Sequence, residues 1–254
     1  MRVLVCVKRV PLTGGKISLT EDEQAIQTRH LGFTVSPHEE CGAEEAIRLV
    51  EAHGGESVAL TLGPTEASEQ LRDLMAIGID RGIHLVTDGS EWDPQATAAA
   101  IVAAIQAEPE PFDLILFGTE SADAGNYQVA IRVAYALGLP VVNAIKSIAI
   151  NGTSLRCEHE VPGGREIYEV AMPAVVTVME GINLPRYPSV PGRMRAKRKP
   201  IAASEPARVG ATESKLKMVR LVLPETSSKQ AEILGSGPDA APRVVEILKQ
   251  IGVV

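Results

Sequence analysis

Aromatic residues and cysteines are scarce in this sequence. Phe, Trp and Tyr together make up only 3% of the 254 residues, so a core must be built from Val, Ile, Leu and Ala. The three cysteines, Cys6, Cys41 and Cys157, lie far apart and form no C-x-x-C pair. That spacing argues against a cysteine zinc site or a disulfide framework. We expect all three to be reduced and structural.

Long apolar runs and an excess of basic charge are also missing. No stretch of about 18 apolar residues runs without charge, which excludes membrane-spanning helices. The formal net charge of −7 disfavours general nucleic-acid binding, which needs a basic surface. The opening MRVLVCVKRV is too short and too charged for the apolar part of a signal peptide. We therefore expect a cytoplasmic protein.

Apolar strands alternate with helical patterns through the first half of the chain. The predicted strands cover residues 2–7, 58–62, 83–86 and 113–118, and the predicted helices cover residues 37–53, 66–77, 94–107 and about 125–137. The first helix has a capping Ser36, Pro37 in its first turn, and Gly54 at its end. This alternation predicts an α/β fold with a mostly parallel, doubly wound sheet. Ligands in such sheets bind beyond the carboxyl ends of the strands.

The second half of the chain follows a different pattern. Residues 146–150, 154–160 and 165–171 alternate between apolar and polar, Asn151-Gly152 and residues 162–164 mark turns, and residues 173–178 are apolar. We expect these segments to form an antiparallel meander, as an edge or a second layer of the sheet.

The last 50 or so residues read as an arm. Residues 201–232 are polar, and a segment of this kind cannot fold alone because it buries too little apolar surface. A helical stripe follows, formed by Val244, Ile247, Leu248 and Ile251. We therefore divide the chain into a domain at 1–200 and an arm at 201–254, which must lie on its own domain or on a partner.

Several well-known catalytic and binding motifs are absent. The sequence contains no G-x-G-x-x-G, no P-loop, no G-x-S-x-G and no H-E-x-x-H. None of the five histidines stands at metal-ligand spacing with another, so we predict no metal site. No catalytic nucleophile, base and orienting group can be assembled. An electron carrier or a binding protein fits better than a hydrolase.

The most informative segment is FGTESADAGNYQVAIRVAYALGLP. A buried strand ends at Gly118, and a loop of small and polar residues leads into a helix. Free backbone N–H groups and a helix N-terminus at this edge attract a phosphate. Asp123 can accept from a ribose hydroxyl or cap the helix, and Gln128 can donate to a phosphate or a ring carbonyl. An ordinary loop with an Asp cap remains the alternative.

A second segment, RMRAKRKP, carries a run of basic residues. Such a run can bind nucleic acid or an acidic membrane, but it is more often a solvated connection or a docking strip for an acidic partner. The negative net charge disfavours nucleic acid.

Five stretches, taken in order, resemble the β subunit of electron transfer flavoprotein. They are VLVCVKRVP, SPHEECGAEEAIRL, MAIGIDRGIHL, RCEHEVPGGREIYEVAMPAVVTV and NLPRYPSVPGRMRAKRKPI, and they extend from residue 2 to about residue 201. The resemblance implies a Rossmann-like fold of the adenine-nucleotide-binding type. It also implies a heterodimer in which the α subunit holds most of the FAD and the C-terminal arm embraces α.

The activity implied by the resemblance is electron transfer and not group chemistry. Electrons would pass from flavin dehydrogenases, such as acyl-CoA dehydrogenase in fatty acid β-oxidation, to a quinone oxidoreductase or another acceptor. Family members that split electron pairs hold a second FAD in this subunit and oxidise NADH. A stand-alone adenine-nucleotide-binding module would share the sheet, but it would not explain the arm.

The β subunits of the family usually hold AMP, and their contacts carry over by position. The positions are Cys6, Ser36, Pro37, His38, Glu39, Leu62, Asp123, Ala124, Gly125, Asn126, Tyr127, Gln128, Val129, Ala130, Ile131, Arg132, Val133 and Ala134. Ser36 replaces a common Asn. Val129 and Ala130 replace the Thr and Gly of AMP-binding members, and Val129 matches members with a second FAD. AMP, a second FAD, and an empty or different site all remain open.

The resemblance also places a partner-recognition loop at residues 183–199. In the family an apolar residue of this loop inserts into the partner, and Val190 stands at that place, with Tyr187 nearby. The neighbouring Arg193, Arg195 and Lys197 are expected to steer an acidic partner towards the loop.

Overall fold

The fold is a single large β-sheet with helices on both faces. The computed structural model describes residues 1–12, 14, 17–207, 216, 218–224 and 232–253. The strands are β1 (Arg2–Val7), β2 (Arg9–Pro11), β3 (Phe33–Val35), β4 (Glu56–Gly63), β5 (Arg81–Val86), β6 (Leu114–Gly118), β7 (Val141–Asn151), β8 (Ser154–Val161), β9 (Gly164–Ala171), β10 (Ala174–Val178) and β11 (Ile201–Ser204). The helices are α1 (Pro37–His53), α2 (Ser68–Ile77), α3 (Pro94–Gln106), α4 (Val129–Leu137), α5 (Val190–Ala196) and α6 (Ala241–Gln250).

Within those residues, nine strands form the large sheet in the order β11-β5-β4-β1-β6-β10-β7-β8-β9, and β2 and β3 form a small antiparallel ribbon. The strands from β11 to β7 run parallel, and β8 and β9 continue the sheet antiparallel. The sheet is therefore mostly parallel with an antiparallel edge, and the predicted α/β fold class is confirmed.

The core lies on both faces of the central strands. Helices α1 and α2 cover one face, and α3 and α4 cover the other. Strands β1, β6 and β10 consist almost entirely of apolar residues and are buried almost throughout. Parallel strands covered on both faces require this composition. Val, Ile, Leu and Ala supply most of the buried side chains, as the scarcity of aromatic residues predicts.

The predicted helix after Ser36 is confirmed, with Pro37 in its first turn and Gly54 beyond its end. Its apolar stripe packs into the core, where Ala43, Ala46 and Ile47 are buried. The three cysteines are free and buried, as predicted. No helix among the described residues combines the length and the apolar character needed to cross a membrane.

Two expectations about the sheet and its helices were wrong. Residues 173–178 were expected in the antiparallel meander, but β10 lies between β6 and β7 and pairs with both in parallel. Its five residues are all buried, which is typical of an inner strand. Helix α4 begins at Val129 and not near Gly125, because Gly125 and Tyr127 both have φ of 55° and cannot continue a helix.

Residues after position 200 take two regular forms. β11 pairs with β5 and extends the large sheet, although it follows the predicted boundary of the arm. The predicted C-terminal helix is present as α6, and Val244 and Val245 on it are exposed. Leu221 N–H donates to Glu23 O at 2.8 Å, which ties a described part of the arm to the domain. Residues 208–215, 217, 225–231 and 254 of the predicted arm lie outside the described residues.

The contact between α2 and α5 generates a prediction about stability. A Cβ added to Gly192 would lie 2.3 Å from the carbonyl oxygen of Ala76, so α5 would have to move away from α2. We expect Gly192→Ala to lower the free energy of unfolding by about 1–3 kcal/mol, the usual range for overpacking. Urea unfolding followed by the fluorescence of Trp92, the single tryptophan, measures this change.

The matched control is Gly164→Ala on β9, where an added Cβ meets nothing within 4 Å. This control should leave the unfolding midpoint nearly unchanged. Equal midpoints for the two variants would contradict the close packing of α5 on α2.

Candidate functional site

The candidate site lies where the direction of the chain connections reverses at the carboxyl edge of the sheet. From β1 the chain passes through α1 to β4 on one side, and from β6 it passes through α4 to β7 on the other. Strands β1 and β6 are neighbours, but the connections that leave their carboxyl ends run in opposite directions. A crevice therefore forms between these connections, bordered by α1 and α4. Open α/β sheets bind their ligands at such a position.

Three contacts hold together the segments around this crevice, and two of them reach the loop after β6. The Nζ of Lys8, which directly follows β1, lies 2.6 Å from Asp123 Oδ2. Ala122 N–H donates to Ser36 Oγ at 3.0 Å. Lys8 N–H donates to Glu39 Oε2 at 2.9 Å. The end of β1, the start of α1 and the loop after β6 are therefore held together.

Glu39 is buried inside this junction. Burial raises the pKa of its carboxyl to about 8, although backbone donation from Lys8 and Ser36 and the positive charge of Lys8 act in the opposite direction. Gly118 packs against the same side chain, since an added Cβ there would lie 2.7 Å from Glu39 Cγ. Burial also raises the pKa of the neighbouring Cys6 thiol, and the Glu39 charge adds to that effect.

The loop before α4 has an irregular backbone. Gly125 adopts a left-handed conformation, and its N–H donates to Ser121 O at 3.0 Å. Tyr127 shares the positive φ and bonds through its hydroxyl to Glu120, which raises the pKa of the phenol. The backbone hydrogen bonds of α4 begin with the N–H of Arg132, which donates to the carbonyl of Gln128 at 3.0 Å. The three preceding N–H groups, at residues 129–131, have no partner within the helix.

These features fit an anionic ligand such as a nucleotide phosphate. N–H groups without a partner in their own helix attract a phosphate at a helix start. The ammonium of Lys8 lies at the same edge, where it is paired with Asp123 Oδ2. Gly118 permits the close approach of strand and helix that shapes the crevice. Two helices, α1 and α4, begin at the crevice, and the start of α4 is the preferred contact for a phosphate. At the start of α1 the N–H of Ser36 already has an acceptor, Glu39 Oε2 at 3.4 Å.

The residues predicted to contact a nucleotide separate into those at the crevice and those in the core. Ser36, Glu39 and Asp123 meet at the crevice through the contacts described above. Cys6 and Leu62 lie on adjacent strands, on the sheet face that α4 covers. The side chains of Ala130, Val133 and Ala134 are buried in that core, so only their backbone can reach a ligand.

The remaining predicted contacts lie around the crevice. His38 Nδ1 accepts from Glu180 N–H at 2.6 Å, so this side chain is directed at the loop after β10. Gln128 Oε1 accepts from the Arg132 guanidinium, at 2.9 Å from Nη2. Residues 124–127 form the irregular loop, Pro37 is exposed, Val129 is half-buried and Ile131 is exposed.

Sequence reasoning missed Lys8 and Glu120. The position of Lys8, immediately after a buried parallel strand, was the available signal. For Glu120 there was none, because its bond to Tyr127 depends on the backbone conformation of the loop.

A second candidate site is the docking segment, which we define as residues 183–199. Tyr187 and Val190 are 95% and 77% exposed, in line with their predicted role as partner contacts. Leu184 is 90% exposed and Met194 is 58% exposed, and sequence reasoning missed both. The predicted steering residues Arg193, Arg195 and Lys197 are all exposed as well.

Known proteins resemble this chain over nearly its whole length. Residues 25–209 match the family described as "Electron transfer flavoprotein domain". The chain belongs to the electron transfer flavoprotein family. It is 37% identical over 250 residues to the electron transfer flavoprotein subunit beta of Syntrophomonas wolfei, with 98% of this chain and 96% of that protein covered.

Two further relatives carry the same name. The protein from Bacillus subtilis is 33% identical over 253 residues, with 98% of each chain covered. The human protein is 32% identical over 255 residues, with 99% of this chain and 98% of that protein covered. The predicted resemblance to the electron transfer flavoprotein β subunit is therefore confirmed. The relatives are subunits of electron-carrying flavoproteins.

The burial of Glu39 generates a prediction about pH dependence. Its pKa rises from 4.5 to about 8 on folding, so between these values the folded chain keeps a proton that the unfolded chain has lost. The free energy of unfolding therefore falls as the pH rises through this window. The Glu39→Gln side chain cannot ionise. The free energy of unfolding of this variant, measured in urea relative to the parent, should therefore increase from pH 5 to pH 8.

Glu160→Gln, which changes an exposed carboxylate on β8, serves as the control and should track the parent at every pH. Parallel curves for the parent and Glu39→Gln would show that Glu39 is ionised in the folded chain throughout the window.

Proposed function

We propose that the chain is the β subunit of a heterodimeric electron transfer flavoprotein. In this proposal the α subunit holds most of the FAD and this subunit helps to enclose it. The flavin supplies the electron-carrying chemistry. The observation that carries the proposal is the similarity over 98% of the chain to proteins named as this subunit.

The exposed apolar residues of the C-terminal part support an α partner. Val244, Val245 and Ile251 on or beside α6 are 41%, 46% and 65% exposed, and Val219 and Val222 are 83% and 66% exposed. An accumulation of exposed apolar side chains is typical of an interaction site. The arm should therefore lie on α, and the subunit expressed alone should be poorly soluble or colourless.

In this proposal the flavin dehydrogenase that donates electrons binds at the docking segment. Flavin dehydrogenases such as acyl-CoA dehydrogenase would deliver electrons, and a quinone oxidoreductase or another acceptor would receive them. A cytoplasmic location and a role in fatty acid β-oxidation belong to the same proposal. The exposed Tyr187 and Val190 and the basic residues behind them support protein docking at this surface.

The crevice at the carboxyl edge would hold AMP in this subunit. The N–H groups at residues 129–131, which have no partner within α4, are suited to a phosphate. A second FAD in place of AMP is the alternative, favoured by Val129, and it would make the heterodimer a bifurcating enzyme that oxidises NADH. Both ligands share an adenosine phosphate, so the same backbone donors serve either one.

The nucleotide site can be tested through Gly125. Proline there would fix φ near −65°, where Gly125 has +55°, and would remove the N–H that donates to Ser121 O. We expect Gly125→Pro, purified with the α subunit, to fall well below one equivalent of adenine nucleotide while the FAD on α is retained. Acid release and mass spectrometry of the parent identify the ligand as AMP or a second FAD.

The control variant is Gly138→Ala, which strains the other end of α4, where φ is +67° and space is open. It should keep its nucleotide. One full equivalent of nucleotide in Gly125→Pro would place the phosphate elsewhere, and its absence from the parent heterodimer would refute a resident nucleotide.

Docking of the dehydrogenase can be tested through Val190. Truncation to alanine removes an exposed apolar contact worth about 1–2 kcal/mol when buried by a partner, or about 5- to 30-fold in affinity. We expect Val190→Ala to slow electron transfer from acyl-CoA dehydrogenase at sub-saturating partner. FAD content and reduction by dithionite should be unchanged.

Ile167→Ala, which truncates an exposed apolar residue on β9, is the matched control and should transfer electrons at the parental rate. Equal rates for Val190→Ala and the parent would remove the anchor role from Val190.

A further inference from the structure

The docking segment is held to α1 by one arginine. Arg186 makes a paired contact with Glu44, in which Nε lies 2.9 Å from Oε2 and Nη2 lies 2.9 Å from Oε1. The same guanidinium reaches Glu51, with Nη1 2.7 Å from Oε1 and Nη2 3.0 Å from Oε2. Both carboxylates belong to α1, two turns apart on one face. Two carboxylates thus surround a single planar cation.

The two acceptors differ in their environment. Glu44 is buried, with 4% of its surface exposed, whereas the Glu51 side chain is 58% exposed. A buried carboxylate is costly without a partner, so the folded chain requires Arg186 to stay at Glu44. The hydrogen bonds from Arg186 lower the pKa of the exposed Glu51 carboxyl.

Helix α1 also holds the backbone of Arg186 and the residues that precede it. Arg186 N–H donates to Glu44 Oε2 at 3.1 Å. Asn183 Nδ2 donates to Glu45 Oε2 at 2.9 Å and to the carbonyl of Cys41 at 3.0 Å. The segment from 183 to 186 therefore lies along α1, although it forms neither helix nor strand.

The far end of the docking segment is fastened by a reciprocal pair of caps. Arg72 of α2 donates to Ala196 O and Lys199 O, at 2.5 and 2.6 Å, where α5 ends. Lys199 in turn donates to Gly78 O and Ile79 O, at 3.1 and 2.6 Å, where α2 ends. Each cation thus binds backbone carbonyls at or just beyond the end of the other helix.

Between these two attachments the apolar side chains point outward. Leu184 and Tyr187 lie on either side of the inward-facing Arg186, and both are at least 90% exposed, with Val190 following at 77%. The attachment of Arg186 thus determines where its two neighbours are presented. A segment that is already ordered loses less conformational entropy when a partner binds.

We propose that Arg186 is a positioning residue for partner docking, holding Leu184 and Tyr187 beside Val190 of α5 in the arrangement that the dehydrogenase binds. This inference rests on the proposed function. It differs from the expected steering by Arg193, Arg195 and Lys197, because steering changes the association rate and its salt dependence. Ordering of the segment changes the lifetime of the complex and the affinity.

The test uses the complete heterodimer with acyl-CoA dehydrogenase as the partner. Glu51→Gln removes the exposed half of the contact and leaves Glu44 paired, so the fold should be kept. We expect KM for the dehydrogenase to rise about threefold in Glu51→Gln and about tenfold or more in Arg186→Gln, with kcat unchanged. The salt dependence of the association rate should remain parental. Glu160→Gln, a loss of the same charge on β8, should leave KM unchanged.

A double-variant cycle with Val190→Ala separates the inference from the proposed function. If Arg186 acts through the segment, Glu51→Gln should change KM less in the Val190→Ala background than in the parent.

A parental KM in Glu51→Gln, while Val190→Ala is impaired, would overturn the positioning role and leave docking intact. A parental KM in Val190→Ala itself would reject the proposed docking, and additive effects would show that Arg186 acts by another route. Should Arg186→Gln fail to fold, Glu51→Gln carries the test.

Discussion

The buried carboxyl group of Glu39 joins the end of β1 to the start of α1, and the candidate nucleotide site depends on this junction. Its Oε2 accepts backbone donors from Lys8 and Ser36, which belong to the two segments that border the crevice. Gly118 completes the junction, because a larger residue would collide with the Glu39 side chain. The crevice exists because β6 can approach α1 this closely. Its shape is therefore set by backbone contacts more than by surface side chains.

Helix α1 connects the two candidate sites of the molecule. Its first turn contributes to the crevice through Ser36 and Glu39, and its next turns hold the docking segment through Glu44 and Glu51. Three acidic residues of this helix, Glu39, Glu44 and Glu45, are buried. Each needs a donor from another segment, which makes the helix a fixed reference for the loops around it. The docking segment and the crevice are thus both attached to the same helix.

The expectations that failed share a physical cause. The strand at 173–178 was assigned to the meander because it follows three alternating strands, but its side chains are apolar on both faces and it occupies an inner, parallel position. The start of α4 was placed too early because the sequence does not reveal the positive φ of Tyr127, a residue type that rarely adopts it. In both places neighbouring strands or loop geometry overrode the local pattern.

Local sequence patterns were sufficient to predict the alternation of strands and helices, the location of the carboxyl edge, and the family. These follow from periodicity, caps and motif order, which are local properties of the chain. The residues that share a site became evident from the folded chain alone: Lys8 with Asp123, Glu39 with Gly118, and Arg186 with Glu44. The residues of these three pairs lie 115, 79 and 142 positions apart along the chain, respectively. No periodicity relates residues so far apart, because their contact depends on the order of strands in the sheet and on the connections that cross it.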